Sequence, residues 1–240
     1  MEPKLGLQIF NIAKRFDEIY ALNGINLSLS KGSIVALLGQ NGAGKSTLIR
    51  LLSGVMKPTS GTALIYNFDL LKNTTEVKRI TGLLPEEHAL YEKLTVTEYI
   101  SFIASLYDVG DSDFNSRYQY FLNILEIEEL KDRLIETLSK GQKQKAAIIA
   151  ALIHEPQMLL LDEPLANLDV KAQITVRNLI KKYKNENRII LIATHLLDNV
   201  AAICDQVVLI RDGKILFSDT VINFQGEYGS MEEAYLRFVE

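Results

Sequence analysis

The stretch Gly39–Thr47, GQNGAGKST, restricts the fold more than any other part of this chain. Its residues stand at the spacing Gly, four free positions, Gly-Lys-Ser/Thr, which makes a loop that wraps its backbone around phosphate. Gly42 and Gly44 leave the backbone free to turn its N–H groups inward around an anion, where a side chain would obstruct the turn. Lys45 can reach the outer phosphates of a nucleotide and Ser46 can offer its hydroxyl to Mg²⁺. A helix that starts here aims the positive end of its dipole at the same charge. Such a loop sits between a buried strand and a helix, and both flanks agree. Ile34-Val35-Ala36-Leu37-Leu38 predicts the strand, and Leu48 to Val55 predicts a helix capped near Gly54.

A chain of 240 residues is long enough for one large α/β domain, or for a core with a smaller subdomain. Its 48% hydrophobic and 23% charged content is that of a soluble globular protein. The longest apolar runs are short and broken by polar residues, so no membrane span is expected. The opening MEPKLGLQIF lacks the basic-then-apolar pattern of a signal peptide. One cysteine, Cys204, rules out an internal disulfide, suits a reducing cytosol, and reads as a small apolar filler. The formal net charge of −4 argues against a nucleic-acid partner. The one basic cluster, Lys181-Lys182-Tyr183-Lys184, ends a predicted helix, where cations suit the dipole, and reads as a solvated helix end.

Polar and apolar residues alternate over Leu7 to Ile12 and Ile25 to Leu29, which predicts two strands separated by turn residues such as Asn23-Gly24. The middle of the chain, from about Thr95 to Ile153, is helical in pattern. Thr95-Val96-Thr97-Glu98 is a capping box that opens the striped segment Tyr99 to Leu106, Gly110 and Asp111 break it, and Phe114 to Leu125 resumes helical spacing. After Pro156, strand and helix alternate again.

Three buried runs end in reactive residues. Ile34 to Leu38 ends in the phosphate loop, Met158 to Leu161 ends in Asp162-Glu163, and Ile189 to Ile192 ends in Thr194-His195. The carboxyl ends of parallel strands share one sheet edge, where ligands bind, so these residues are expected to converge on one site. An acidic pair after four apolar residues is costly unless it meets a cation or water. Asp162 can hold Mg²⁺, and Glu163 can polarise a water for attack on the γ-phosphate. His195 can hydrogen-bond that phosphate or that water, whereas His88 and His154 read as structural. Leu138-Ser139-Lys140-Gly141-Gln142 precedes a long helix expected to begin near Lys143. Ser139 and the backbone around Gly141 make a second anion site at a helix start. Two phosphate-binding helix starts serve one nucleotide only if two copies of the chain meet head to tail.

With these segments in view, the sequence resembles the ATP-binding subunit of an ABC transporter over nearly its whole length. GQNGAGKST is similar to the family's Walker A loop, LSKGQ to its LSGGQ signature, and MLLLDEP to its Walker B strand with the following glutamate. ANLD, Ala166 to Asp169, resembles the D-loop, and His195 stands at the switch-histidine position. Phe16 matches the aromatic that stacks on adenine, with Tyr20 as the runner-up.

The resemblance implies an α/β fold of the P-loop NTPase class: a RecA-like core with a mostly parallel sheet, an antiparallel β-subdomain and an inserted helical subdomain. Residues 1–86 and 156–240 would form the core with its antiparallel part, and 87–155 the helical subdomain with the signature, all within one domain. It further implies an ATPase that uses ATP and Mg²⁺. Glu163, His195 and Lys45 would be catalytic, and Ser46, Glu86 and Asp162 would hold the metal. Gly39, Asn41, Gly42, Ala43, Gly44, Lys45, Ser46 and Thr47, with Phe16, would bind nucleotide, and Ser139, Gly141 and Gln142 would bind the nucleotide of the second subunit. Two subunits would sandwich two ATP molecules as a head-to-tail dimer on the cytoplasmic face of the cell membrane, driving a separately encoded integral membrane permease. The stretches GLLPEEHALYEKLTVTEYI, ATHLLDNVAAICDQVVLIRDGKIL and SMEEAYLRF resemble the ATPases of type-2 ABC exporters.

Glu86 stands where most of that family has glutamine; a carboxylate still coordinates Mg²⁺ but adds negative charge beside ATP. Lys140 replaces the first glycine of LSGGQ, and long cations usually keep their heads in water. The aromatics of the helical middle, Tyr91, Tyr99, Phe102, Tyr107, Tyr118 and Phe121, read mostly as core, with part of them lining a permease groove by resemblance. A soluble ABC ATPase acting on ribosomes or nucleic acid is the alternative. The compact single cassette, its one cysteine and its acidic balance weigh against it, and a GTPase would need a guanine-reading Asn-Lys-x-Asp that is absent.

Overall fold

The computed structural model describes residues 4–226 and 228–239. Strands β1 (Leu5–Phe16), β2 (Ile19–Ser30) and β3 (Ser33–Leu38) lead into α1 (Lys45–Leu52). Strands β4 (Ser60–Ile65) and β5 (Phe68–Asp69), helix α2 (Thr74–Ile80) and strand β6 (Thr81–Leu84) follow. The middle holds α3 (Val96–Leu106), α4 (Asp111–Leu125), two short 3₁₀ turns and α5 (Lys140–Leu152). Then come β7 (Met158–Asp162), α6 (Val170–Tyr183), β8 (Ile189–Ala193), α7 (Leu197–Ile203), β9 (Gln206–Arg211), β10 (Lys214–Thr220), α8 (Val221–Gln225) and α9 (Met231–Val239).

The strands form two sheets. One is six-stranded in the order β10-β9-β3-β8-β7-β6, parallel throughout except for β10, which runs antiparallel to β9. Every residue of β3, β7 and β8 is buried, as a parallel sheet covered on both faces requires. Alternate residues serve opposite layers. Val35 and Leu37 pack with α1 and the second sheet, while Ala36 and Leu38 pack with Val200, Phe224 and Met231. Leu159 and Leu161 instead face the helices of the middle segment. The second sheet, β2-β1-β4-β5, is antiparallel. The α/β class, the mostly parallel sheet and the antiparallel part expected from the sequence are therefore present.

Local expectations hold best where one side chain decides. The capping box at Thr95 forms: its hydroxyl accepts from the Glu98 amide, and the Glu98 carboxylate accepts from the Thr95 amide at 2.8 Å. The helix after LSKGQ starts at Lys140 rather than Lys143, because Ser139 is its N-cap and makes a reciprocal pair with Gln142. Asn23-Gly24 is not the turn between the first two strands. The chain reverses at Asp17-Glu18, and Gly24, at φ 75°, lies inside β2 where its pairing with β1 slips register. A bulge spends its glycine as a turn does, and sequence cannot tell the two apart. The basic cluster closes α6: Lys181 and Lys182 are exposed, while Lys184 pairs with Asp205 at 2.8 Å.

Candidate nucleotide site

The carboxyl ends of β3, β6, β7 and β8 open on one cavity of about 570 Å³. Gly39–Gly42 and Gly44–Thr47 form one wall, and Glu86, Asp162, Glu163, Thr194 and His195 form the other. Glycine is required by space at Gly39 and Gly44, whereas a Cβ on Gly42 would meet nothing within 4 Å and only its φ of 81° favours glycine there. A Cβ on Gly39 would stand 2.3 Å from the Ile210 carbonyl oxygen, and one on Gly44 would stand 2.4 Å from that of Ala21. The loop is thus clamped between β9 at one end and β2 at the other.

Lys45 is buried, with its ammonium donating to the carbonyls of Gly39 at 2.8 Å and Gln40 at 3.0 Å. Burial lowers its pKa, and the carboxylates of Glu163, Asp162 and Glu86 oppose that shift. Asp162 experiences the reverse: burial raises its carboxyl, its hydrogen bond with Ser46 works against the rise, and Glu86 and Glu163 add to it. Three carboxylates therefore act on one ammonium.

Glu163 is held unusually firmly. Its backbone sits in the left-handed region at φ 49°, and its amide donates to the Ala193 carbonyl at 2.9 Å. One carboxylate oxygen accepts from the Thr194 hydroxyl at 3.0 Å, and the other accepts from the His195 amide at 3.0 Å and meets the His195 Nδ1 at 2.7 Å. The glutamate side chain is 11% exposed and the histidine 63%, so the imidazole stands at the mouth while the carboxylate lies behind it. Behind both, Gln144 of α5 is 2% exposed. Its amide donates to the carbonyls of Pro164 at 3.0 Å and Glu163 at 3.3 Å, and its oxygen meets His88 Nε2. His88 thus joins a network behind the site. His154 stacks on Tyr107 with ring centroids 3.7 Å apart.

The donor set suits Mg²⁺. Ser46, Asp162 and Glu86 are hard oxygen donors on one cavity, and Mg²⁺ commonly takes one or two carboxylates and completes its shell with phosphate oxygens and water.

Not every anticipated residue reaches this cavity. Ala43 is buried beneath the loop at 6% exposure. Phe16 and Tyr20, 46% and 47% exposed, stand at the β1–β2 end and are outside the lining. Ser139, Gly141 and Gln142 line a different cavity, of about 530 Å³, together with Lys140, Asn167 and Asp169. Lys140 is exposed there. Conversely, Gln40, Leu197 and Tyr235 belong to the first cavity although none was singled out as a site residue, while Thr194 lines it beside His195. Gln40 lies inside the phosphate loop itself, whereas Tyr235 carries no local signal.

The model of the ABC transporter family matches residues 22–166. The SkfA peptide export ATP-binding protein SkfE of Bacillus subtilis is 34% identical over 210 residues, 88% of this chain and 87% of that protein. Some relatives are far longer: the chain spans 9% of ATP-binding cassette sub-family A member 2 of Homo sapiens. Among solved structures, an ATP-binding subunit of an ABC transporter superposes with a TM-score of 0.91 at 28% identity, covering 98% of this chain and 99% of that one. A dimeric ATP-binding cassette in a post-hydrolysis state with ADP and Pi superposes at 0.81 and 27% identity, covering 90% and 98%.

Proposed function

Since the chain belongs to the ABC transporter family, as an ATP-binding subunit with ATPase activity, we propose that two copies close head to tail around two ATP molecules and drive a separately encoded integral membrane permease. One observation carries this reading. Phosphate loop, acidic pair and histidine meet in one cavity, while Ser139, Gly141 and Gln142 open on another. Each chain therefore holds two unlike halves, and a two-fold dimer joins each half to its complement.

In this reading the loop Gly39–Thr47 cradles the phosphates with its amides. Lys45 exchanges its two carbonyl partners for the outer phosphates. Ser46, Asp162 and Glu86 hold Mg²⁺, which when bound neutralises phosphate charge. Glu163 accepts a proton from the attacking water, and its three hydrogen bonds fix the carboxylate in position for this before substrate arrives. His195 orients that carboxylate in the free chain; when ATP binds, its imidazole turns to donate its one N–H to the γ-phosphate, while the Thr194 hydroxyl and the His195 amide keep hold of Glu163. Phe16 stacks on adenine at the β1–β2 end, and the partner's Ser139, Gly141 and Gln142 close over the γ-phosphate. ATP then joins the two halves and hydrolysis releases them, which moves the permease between states.

Residues 87–155 would act as the helical subdomain that meets the permease; among the described residues no strand is assigned between Leu84 and Met158. The chain would work at the cytoplasmic face of the cell membrane, and no described helix is long and apolar enough to cross it. Export is the direction favoured by likeness to a peptide-export ATP-binding protein and to type-2 exporters. The test is Glu163→Gln protein with saturating ATP and Mg²⁺. It should bind ATP, hydrolyse it at least about a hundredfold more slowly, and run as a dimer in sizing chromatography. It should also co-purify from native membranes with a multi-span protein. A variant that stays monomeric under those conditions refutes the sandwich.

A further inference from the structure

Tyr235 is part of the nucleotide cavity yet belongs to none of the segments that define it. It sits on α9, an amphipathic helix whose Met231 and Ala234 are buried and whose Phe238 closes an aromatic cluster with Phe217 and Phe224. Met231, Ala234, Tyr235 and Phe238 follow the i, i+3, i+4, i+7 spacing of one helix face. The start of α9 is fixed by Ser230, whose hydroxyl accepts from the Glu233 amide at 3.2 Å. Near its end, the Arg211 guanidinium reaches the Phe238 carbonyl at 3.5 Å. The helix is thus pinned on both sides of Tyr235, which leaves the phenol at the edge of the packed face and turned into the cavity.

Its place along the cavity identifies what it meets. The phosphate loop runs from Gly39, beside Ile210 of β9, to Gly44, beside Ala21 of β2. Phe16 and Tyr20 mark the β2 end. α9 packs against α7, which begins two residues after His195, and lies with β9 in one core cluster. Tyr235 therefore stands at the end that holds Gln40, Asn41, His195 and Leu197, away from the adenine end. Burial raises the pKa of its phenol, which keeps the group protonated. The group is a neutral O–H donor beside a site for an anion.

We propose that Tyr235 is a γ-phosphate residue: its hydroxyl donates a hydrogen bond to the terminal phosphate of ATP and makes the site prefer triphosphate over diphosphate. This rests on the nucleotide reading of the cavity given above. The arrangement also ties the preference for triphosphate to the packing of α9, since the phenol keeps its place only while Met231, Ala234 and Phe238 remain seated.

The test compares binding of Mg²⁺ with AMP-PNP and of Mg²⁺ with ADP, by calorimetry, in wild-type and Tyr235→Phe protein. Phenylalanine keeps the ring and its packing and removes only the hydroxyl. AMP-PNP should bind about tenfold more weakly, as expected for one hydrogen bond to a charged group, while ADP binding stays within about twofold. KM for ATP should rise while the unfolding midpoint is unchanged. Unchanged affinity for both nucleotides, or an equal loss for both, overturns the proposal, because a packing role does not distinguish the two ligands. Wild-type protein that binds neither nucleotide is a different result, which removes the nucleotide reading and this proposal with it.

Discussion

Gln144→Leu is expected to couple stability and turnover in one measurement. The substitution keeps the side chain's size at a position 2% exposed, so it opens little space and removes polar partners instead. The two carbonyls it serves are affected unequally. Glu163 O also accepts from the Ala166 amide at 3.1 Å and keeps a partner, so losing its 3.3 Å bond from Gln144 costs about 0.5–1 kcal/mol. Pro164 O loses its 3.0 Å donor in a buried setting, worth about 2 kcal/mol. His88 loses its partner in a half-buried place and adds less. The sum is about 3 kcal/mol, or about 10 °C in Tm for a chain of this size. Because these carbonyls belong to the turn that presents Glu163, kcat should fall about tenfold or more with KM for ATP little changed. Urea denaturation gives the first quantity and a coupled ATPase assay the second. A loss below about 1 kcal/mol with normal kcat would refute the claim that Gln144 holds that turn.

Lys45→Ala should weaken nucleotide binding by at least about tenfold, since Asp162, Glu86 and Glu163 lose the ammonium that offsets their charge; equilibrium binding with ADP checks it. Glu86→Gln should retain ATPase activity within a few-fold, because a glutamine oxygen still reaches Mg²⁺ with less negative charge beside ATP, and complete loss of turnover would contradict this. His154 gives a pH dependence. Burial holds its pKa down at about 4 against an ordinary 6.5, so below pH 6.5 the unfolded chain binds a proton that the folded one refuses. This contribution is complete above pH 6.5 and shrinks as pH falls toward 4, amounting to about 2 kcal/mol between pH 7 and pH 5. Unfolding free energies at those two pH values should show this component, and His154→Gln, which keeps a donor for the Thr81 carbonyl, should lack it.

The parts legible in the sequence are those set by local chemistry. Gly39 and Gly44 are glycines because carbonyl oxygens lie within 2.4 Å of where a Cβ would stand, and that constraint left the loop pattern in the sequence. Buried parallel strands need unbroken apolar runs, so β3, β7 and β8 could be read together with the reactive residues at their ends. Ser139 and Thr95 cap helices through bonds only three residues long, which made both helix starts visible. Failures came where one residue type serves two geometries. Gly24 relieves a bulge in a long strand instead of making a turn, and the extent of β1 and β2 was missed with it. Tyr235 and Gln144 were invisible for another reason. Their roles depend on where α9 and α5 pack, and a tyrosine on a helix face or a glutamine after a signature segment looks the same whether or not a site lies beneath it.

These two residues bear on how the halves of the site communicate. α5 begins at Ser139, in the cavity proposed to meet the partner's nucleotide, and one turn later its Gln144 grips the carbonyls beneath this chain's own Glu163. A displacement of α5 when the partner's γ-phosphate docks at Ser139 would therefore reach the glutamate through two hydrogen bonds in a single rigid helix. That link predicts unequal coupling in mixed dimers. A Gln144→Leu chain paired with a wild-type chain should lose turnover mainly at the site built on its own Glu163. Ser139→Ala should impair the site of the opposite chain, where its hydroxyl would meet phosphate. Single-turnover kinetics on tagged heterodimers, with the other site disabled by Lys45→Ala, separates the two patterns. Equal loss at both sites for either substitution would mean that α5 does not transmit between them.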